Sequence, residues 1–161
     1  LMPVITAAKI ARSLNVVTVL DAGTMRPGLE RLLPLIDHLV VSENFARQIF
    51  GRHDPQATLR FLAGYGAANV TITCGESGSV SIDNTGSVFQ QQAFEMDVVD
   101  TTGCGDVFHG GYIYGLLQGW EIQQTIRFAT ACAALKTRAL GGRTAIADLP
   151  AVEALLRSRS D

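Results

Sequence analysis

The stretch DTTGCGDVFHGG, residues 100–111, decides how this sequence is interpreted. Apolar residues recur behind it at helical spacing, which predicts a helix over about 105–118. Gly103 and Gly105 stand at the start of this helix, where glycine permits tight turns and the close approach of another group. The first N–H groups of a helix have no partner within it, and together with the helix dipole they favour an anion. We therefore predict that a negatively charged group binds here.

The composition is that of an ordinary globular protein. The chain has 161 residues, 47% of them hydrophobic and 17% charged, with a net charge of -2. This length predicts one domain with a real core, so residues 1–161 are assigned to a single α/β unit. The net charge gives no hint of a nucleic-acid-binding surface, no run of Lys or Arg occurs, and no apolar run reaches the ~18 residues of a membrane span. Three cysteines without a C-x-x-C pair, and no signal-peptide pattern, favour the cytoplasm.

Strands and helices alternate through the first half of the chain. Short apolar runs at 16–20, 38–42 and 69–75 have the pattern of buried parallel strands, and helical patterns separate them. Such βαβ units predict an α/β fold with a mostly parallel sheet. Two alternating runs within 79–93 predict a hairpin, and Val98-Val99 is predicted to end a strand. The other predicted helices cover 6–15, 27–37, 43–51, 55–66, 121–140 and 149–159.

Several chemistries use a glycine-rich turn, and the sequence separates them only in part. A P-loop needs Gly-x-x-x-x-Gly-Lys followed by Ser or Thr, and no such lysine occurs in this chain. A dinucleotide-binding turn needs Gly-x-Gly-x-x-Gly, and Phe108 at its last position weakens this alternative without eliminating it. Asp106 has two interpretations: an acid that offsets the helix dipole by about 0.3–1 kcal/mol, or a base that takes a proton during phosphoryl transfer.

The motif closely resembles the second signature of the ribokinase/phosphofructokinase-B (PfkB) family of carbohydrate kinases, D-T-x-G-A-G-D-x-F, and departs from it mainly at Cys104. TITCGESGS (71–79) is similar to the family's strand and nucleotide loop, and RFATACAALKTRALGGRTAI (127–146) to the helix and loop beside the adenine. The resemblance implies a ribokinase-like fold, layered α/β/α with a mostly parallel sheet. It also implies an ATP-dependent kinase that transfers the γ-phosphoryl group to a hydroxyl of a sugar or sugar-like substrate.

Where residues match the family, the resemblance implies their roles. Asp106 is the implied catalytic base, and the backbone N–H groups of Gly103, Cys104 and Gly105 form the implied anion hole. Cys104 stands at a helix start, where thiol pKa values tend to fall, so it is either an alkylation-sensitive site or simply a small residue that fits. The residues implied to border the nucleotide are Thr73, Gly75, Gly78, Thr130, Gly141 and Gly142.

Two metal ions follow from the resemblance. Many family members hold a monovalent cation such as K⁺ beside the motif, and Asp100 and Thr102 are the implied ligands, although Asp100 would equally hold the turn together. Relatives order Mg²⁺ through N-x-x-E after a strand, but Ser42 and Phe45 occupy those positions here, as a serine does in the ketohexokinase-like branch. The candidates left to act on Mg²⁺ through water are Glu43 and Asp21.

The resemblance covers the C-terminal half of the family's chains. Their N-terminal half carries the sugar-binding Gly-Gly motif, the first strands of the sheet and a small β lid, and nothing in this sequence resembles them. We therefore expect ATP and a sugar as ligands of the kinase, no turnover by this chain alone, and self-association through an exposed sheet edge. A nucleotide- or dinucleotide-binding module without catalysis remains the alternative.

Overall fold

The computed structural model describes residues 1–159 and places a five-stranded sheet among helices. The α-helices are α1 (Met2–Ser13), α2 (Glu43–Phe50), α3 (Pro55–Ala63), α4 (Cys104–Leu117), α5 (Ile122–Lys136) and α6 (Leu149–Ser158). The strands are β1 (Val19–Ala22), β2 (His38–Ser42), β3 (Asn69–Thr73), β4 (Ser79–Asp83) and β5 (Val88–Gln91). None of the helices within residues 1–159 is both long and apolar enough to cross a membrane.

The sheet confirms the predicted α/β class. Its order is β1-β2-β3-β4-β5, in which β1, β2 and β3 run parallel and β4 pairs with β3 in the antiparallel direction. Val40 and Val41 of β2 and Val70 and Ile72 of β3 are completely buried, as expected of parallel strands covered on both faces. β1 and β5 are the outer strands of the sheet. Self-association through an exposed sheet edge stays a prediction, and it would use one of these two strands.

The chain divides into two compact units, which we call the sheet unit and the motif unit. The sheet unit comprises Leu1–Cys74 and Ser79–Gln90. The motif unit comprises Gly75–Gly78 and the chain from Gln91 onward. The assignment of residues 1–161 to one domain stays a prediction.

Helices α2 and α3 of the sheet unit begin and end close to the residues predicted from the sequence. The Ser42 hydroxyl accepts a hydrogen bond from the Phe45 N–H at 3.1 Å and so caps α2. Gly51 ends α2 in the left-handed conformation, at φ 77°. The Asp54 carboxylate accepts from the Ala57 N–H at 2.9 Å, with proline at the first position of α3. These short-range signals confirm the predicted boundaries within a few residues.

The helix predicted over 27–37 is wrong. Two separate 3₁₀ turns, Leu29–Arg31 and Leu33–Leu35, stand in its place. Pro34 has no N–H to donate and restricts the residue before it, so a continuous helix does not form. The leucines at 29, 32 and 33 are nevertheless buried. The spacing of the apolar residues therefore predicted which side chains are buried, but it did not predict the helix.

The strand predicted to end at Val98-Val99 is also wrong. Both valines are more than half exposed. The N–H groups of Val99 and Asp100 donate to one acceptor, the Thr137 carbonyl, at 2.8 and 3.0 Å. These donors are therefore used by the end of α5, and the segment is irregular.

In the motif unit, α4 and α5 pack through two glycines. A Cβ atom at Gly111 would lie 2.9 Å from the Ala129 Cα, and one at Gly115 would lie 2.7 Å from the Thr125 Oγ1. Both distances are shorter than ordinary van der Waals contact, so only glycine lets the helices approach this closely. Phe128 and Leu135 of α5 continue the buried cluster of this unit together with Val152 of α6.

We expect Gly115→Ala to lower the free energy of unfolding by about 1–3 kcal/mol, because the added methyl group overpacks the contact with Thr125. Gly110→Ala is the matched control on the same helix, since nothing lies within 4 Å of its added Cβ. It is expected to leave stability unchanged or raise it by up to about 1 kcal/mol. Urea unfolding of the full-length protein measures both, and equal effects would contradict the close helix contact.

Candidate active site

The motif loop, residues 100–105, leads into α4 and leaves the start of that helix without a side-chain cap. Gly103 precedes α4 at φ 78°, and among the described residues no side chain hydrogen-bonds to the first turn as a cap. By contrast, Ser42, Asp54 and Asp148 cap α2, α3 and α6. The start of α4 therefore offers backbone N–H groups and the positive end of the helix dipole to an anion.

The motif loop lies directly against a second glycine-rich segment, residues 137–145, which we call the glycine loop. A Cβ atom at Gly103 would lie 2.8 Å from the Gly142 carbonyl oxygen, so a larger residue would push the two loops apart. Gly141 stands beside it with φ 87°. The structure thus brings together Gly103, which the resemblance assigned to the anion hole, and Gly142, which it assigned to the nucleotide-binding residues.

Asp100 joins the two loops through its carboxylate. Oδ1 accepts hydrogen bonds from the Thr102 N–H at 2.9 Å and the Thr102 hydroxyl at 2.7 Å. Oδ2 accepts from the Gly141 N–H at 2.7 Å. The bonds from Thr102 and then from Gly141 lower the pKa of Asp100 to about 2. The carboxylate is therefore ionised at neutral pH and holds the turn together.

Lys136, the last residue of α5, is a site residue that the sequence analysis missed. Its side chain is completely buried, and its Nζ donates to the Asp100 carbonyl oxygen at 2.9 Å. The same nitrogen lies 4.0 Å from the Asp100 carboxylate. The available signal was a single charge at the end of the apolar run ATACAAL, but its partner lies 36 residues earlier in the chain.

The implied monovalent-cation site does not fit this arrangement. Each oxygen of Asp100 already accepts a hydrogen bond, from Thr102, Gly141 or Lys136. A hard cation needs oxygen ligands that are free to face it. The buried ammonium of Lys136 also puts a positive charge beside Asp100, so the Asp100 oxygens as they stand do not fit a further cation, and the cation role of Thr102 stays a prediction.

Cys104 departs from two expectations. Its N–H donates to the Thr101 carbonyl at 3.1 Å, so this amide is not free to bind an anion as the resemblance implied. Burial raises the pKa of the Cys104 thiol, and the charge of Asp100 adds to that rise while Lys136 opposes it. The expected fall at a helix start is therefore wrong, and Cys104 fits better as a small residue than as a reactive thiolate.

Asp106 and Gly105 are exposed residues in the first turn of α4. Asp106 lies in the first turn of α4, beside the uncapped amides. Nothing lies within 4 Å of a Cβ added at Gly105, so the protein's own packing does not require glycine there. His109 fixes the turn from within the helix, with Nδ1 2.7 Å from the Gly105 carbonyl. The space in front of Gly105 is open to a ligand.

Three other residues of the motif unit that were predicted to bind nucleotide, Gly75, Gly78 and Thr130, have a role in the fold. Gly75 and Gly78 have φ values of 57° and 84°, and a side chain at Gly78 would collide with the backbone of residues 91–93. Thr130 is buried within α5, where its hydroxyl donates to the Ile126 carbonyl at 2.8 Å. Because that hydroxyl is engaged and covered, Thr130 is not open to a nucleotide.

The predicted site residues of the sheet unit are Thr73 and Glu43. Thr73 ends β3, and its hydroxyl donates to the Val41 carbonyl at 3.4 Å. The Glu43 carboxylate pairs with Arg47 at 2.8 Å and faces the His53 imidazole at 3.4 Å. Within residues 1–159, no three His, Cys, Asp or Glu side chains gather as a metal site. The magnesium role implied for Glu43 therefore lacks a free carboxylate oxygen.

Comparisons with known proteins show which family the chain resembles. The family model described as pfkB family carbohydrate kinase matches residues 2–149. The chain is 32% identical over 130 residues to the ATP-dependent 6-phosphofructokinase of Thermoanaerobacterium thermosaccharolyticum, which covers 81% of this chain and 39% of that protein. It is 34% identical over 134 residues to the 2-dehydro-3-deoxygalactonokinase of Haloferax volcanii, covering 82% and 42%.

A solved structure gives the same fold. Arabidopsis thaliana ribokinase, complexed with ribose and ATP, superposes with a TM-score of 0.88 and 27% identity over 96% of this chain and 52% of that one. The ribokinase-like fold is thereby confirmed, and the chain spans about half the length of these relatives or less. Since the family model covers nearly the whole sequence, the chain belongs to the pfkB family of carbohydrate kinases.

Proposed function

We propose that this chain supplies the phosphate site and the catalytic base of an ATP-dependent carbohydrate kinase. The observation that carries the proposal is the start of α4, where uncapped amides, the open space at Gly105 and the exposed carboxylate of Asp106 lie within one helical turn. The relatives support it, since one is named an ATP-dependent kinase and the solved ribokinase holds ribose and ATP.

The start of α4 is suited to a transferring phosphoryl group. Its first-turn N–H groups point toward the helix N-terminus, and the helix dipole adds a partial positive charge there. Gly103 allows the start of α4 to pack closely against Gly142, so the N–H donors of the first turn are fixed in position before a ligand binds. Donors fixed in advance stabilise developing charge without reorganising during the reaction. Cys104 is the exception, because its N–H is already bonded to Thr101.

Asp106 takes the role of general base. Its carboxylate accepts the proton of the acceptor hydroxyl while that oxygen bonds to the γ-phosphorus and the bond from phosphorus to the ADP oxygen breaks. ADP then leaves, and the phosphorylated sugar carries the transferred group. Phosphoryl transfer needs little beyond positioning, charge stabilisation and such a base. A positioned base typically contributes about 10²–10⁴-fold to the rate.

ATP and Mg²⁺ are the proposed cofactors. Mg²⁺ in kinases is commonly held by the nucleotide's phosphates and water with one or two carboxylates, and it neutralises phosphate charge. We leave Glu43 out of this network because Arg47 and His53 engage its carboxylate. Thr130 is left out of the nucleotide site because it is buried. The residues of the motif unit that we keep as nucleotide contacts are Gly75, Gly78, Gly141 and Gly142, and the role of Thr73 in the sheet unit stays a prediction.

We expect Gly105→Val to weaken the binding of magnesium and a non-hydrolysable ATP analogue at least about tenfold, because the side chain fills the space in front of the amides. The matched control is Gly110→Val, which changes another exposed glycine of α4 with open space at its Cβ. Its affinity should stay within about twofold of the parent protein. Calorimetric titration measures all three proteins. Equal affinities for the two variants would contradict the placement of the phosphate.

Asp106→Asn is expected to lower kcat by about 10²–10⁴-fold while the affinity for the ATP analogue changes only a few-fold. The amide keeps the shape of the carboxylate but cannot accept the proton. Asp97→Asn, an exposed acid outside the helix, is the control and should retain the parent rate. Steady-state kinetics and titration of the full-length protein separate the two effects. A parent that binds nucleotide but transfers no phosphoryl group would favour the non-catalytic module.

A further inference from the structure

Lys136 is the one side chain of a charged residue type among the buried residues of the described chain. An ammonium group taken out of water loses its hydration, so burial is unfavourable unless the protein supplies partners. Here the partners are the carbonyl and the carboxylate of Asp100, at 2.9 and 4.0 Å. The chain has only one other lysine, Lys9, which is exposed. A buried lysine under the motif loop therefore calls for a specific role.

The ordinary role of a lysine in the last turn of a helix does not describe this one. Such lysines offset the dipole of their own helix and keep the ammonium in water. Lys136 does end α5, but its side chain is covered, and it donates to a carbonyl 36 residues earlier in the chain. Its charge is thus directed at the motif loop rather than at solvent.

We propose that the ammonium of Lys136 takes the place of a monovalent cation beneath the motif loop, so that the phosphate site is assembled without K⁺. A cation at this position would bind a backbone carbonyl and a carboxylate of the turn, and Nζ already contacts the first and lies near the second. This inference rests on the proposed function, because it concerns how the same phosphate site is held in shape.

The hydrogen bonds around Asp100 are consistent with the ammonium of Lys136 as a cation that belongs to the protein itself. Thr102 and Gly141 occupy the carboxylate oxygens of Asp100, so the turn is closed around Lys136. The lysine contributes to lowering the pKa of Asp100, after the hydrogen bonds from Thr102 and Gly141. The pair is therefore neutral as a whole, and a second cation would meet the positive charge of Lys136 rather than free oxygens.

The first arm of the test uses the unaltered full-length protein. The affinity for magnesium and the ATP analogue is measured by titration in KCl, NaCl and choline chloride at equal ionic strength, together with kcat and the thermal unfolding midpoint. We expect affinity and kcat to differ less than about twofold between the salts. A tenfold or greater gain in affinity or rate with K⁺ overturns the inference while leaving the proposed kinase function in place.

The second arm removes the charge. Lys136→Ala should lose at least about tenfold in nucleotide affinity in choline chloride and recover most of it with KCl or methylammonium chloride, which supply a cation to the space left behind. Lys9→Ala, the matched control, should respond to none of these salts. Rescue by a small cation distinguishes a cation's role from mere packing. Loss of affinity that no cation restores, in a folded variant, contradicts the inference.

Lys136→Met keeps most of the side-chain volume without the charge and decides the matter if the alanine variant fails to fold. Parent-like affinity of Lys136→Met overturns the inference, whereas a tenfold loss with an unchanged Lys9→Ala control supports it. If the parent protein binds no nucleotide in any salt, the proposed function fails. The unfolding midpoints then still test Lys136, because only a variant lacking the ammonium should gain stability from K⁺.

Discussion

The hydrogen bond from the buried Lys136 to Asp100 is the interaction on which the motif unit depends. Asp100 accepts four hydrogen bonds, two from Thr102 and one from Gly141 at its carboxylate and one from Lys136 at its carbonyl. These bonds fix the motif loop against the glycine loop, and the contact of Gly103 with Gly142 follows from them. The result is a helix start whose amides are held in place and left uncapped. Each of these features would be lost if the turn could open.

The glycines of the motif and of α4 are required for different physical reasons. Some are needed for the fold, whereas Gly105 is not. Gly103 permits a left-handed turn and close contact between loops, and Gly111 and Gly115 permit close packing of α4 on α5. These three are explained by the protein itself. Gly105 is not, since an added Cβ there would meet no atom of the chain. Our proposal that a phosphate group binds in front of the helix start would account for a glycine at this position.

The sequence predicted what depends on neighbouring residues. The strands β2 and β3 and the starts of α2, α3 and α4 follow from apolar spacing or from a side chain that bonds within the next turn. The failures depend on distant contacts. The strand at Val98-Val99 is lost because the N–H of Val99 bonds to the end of α5. The burial that raises the pKa of Cys104, and the burial of Thr130, are likewise not visible in the pattern of neighbouring residues.

The same distinction explains why the motif did not indicate the lysine that contacts Asp100 in the fold. Asp100 and Thr102 are adjacent in sequence, and their pattern records only that the turn needs a positive partner. The partner itself is Lys136, which reaches the turn from the end of α5 and is invisible in the motif. A covalently held ammonium is present whenever the unit is folded, so its supply does not depend on the salt around the protein. The shape of the proposed phosphate site thus depends on the motif, whereas the positive charge beside Asp100 depends on the packing of α5.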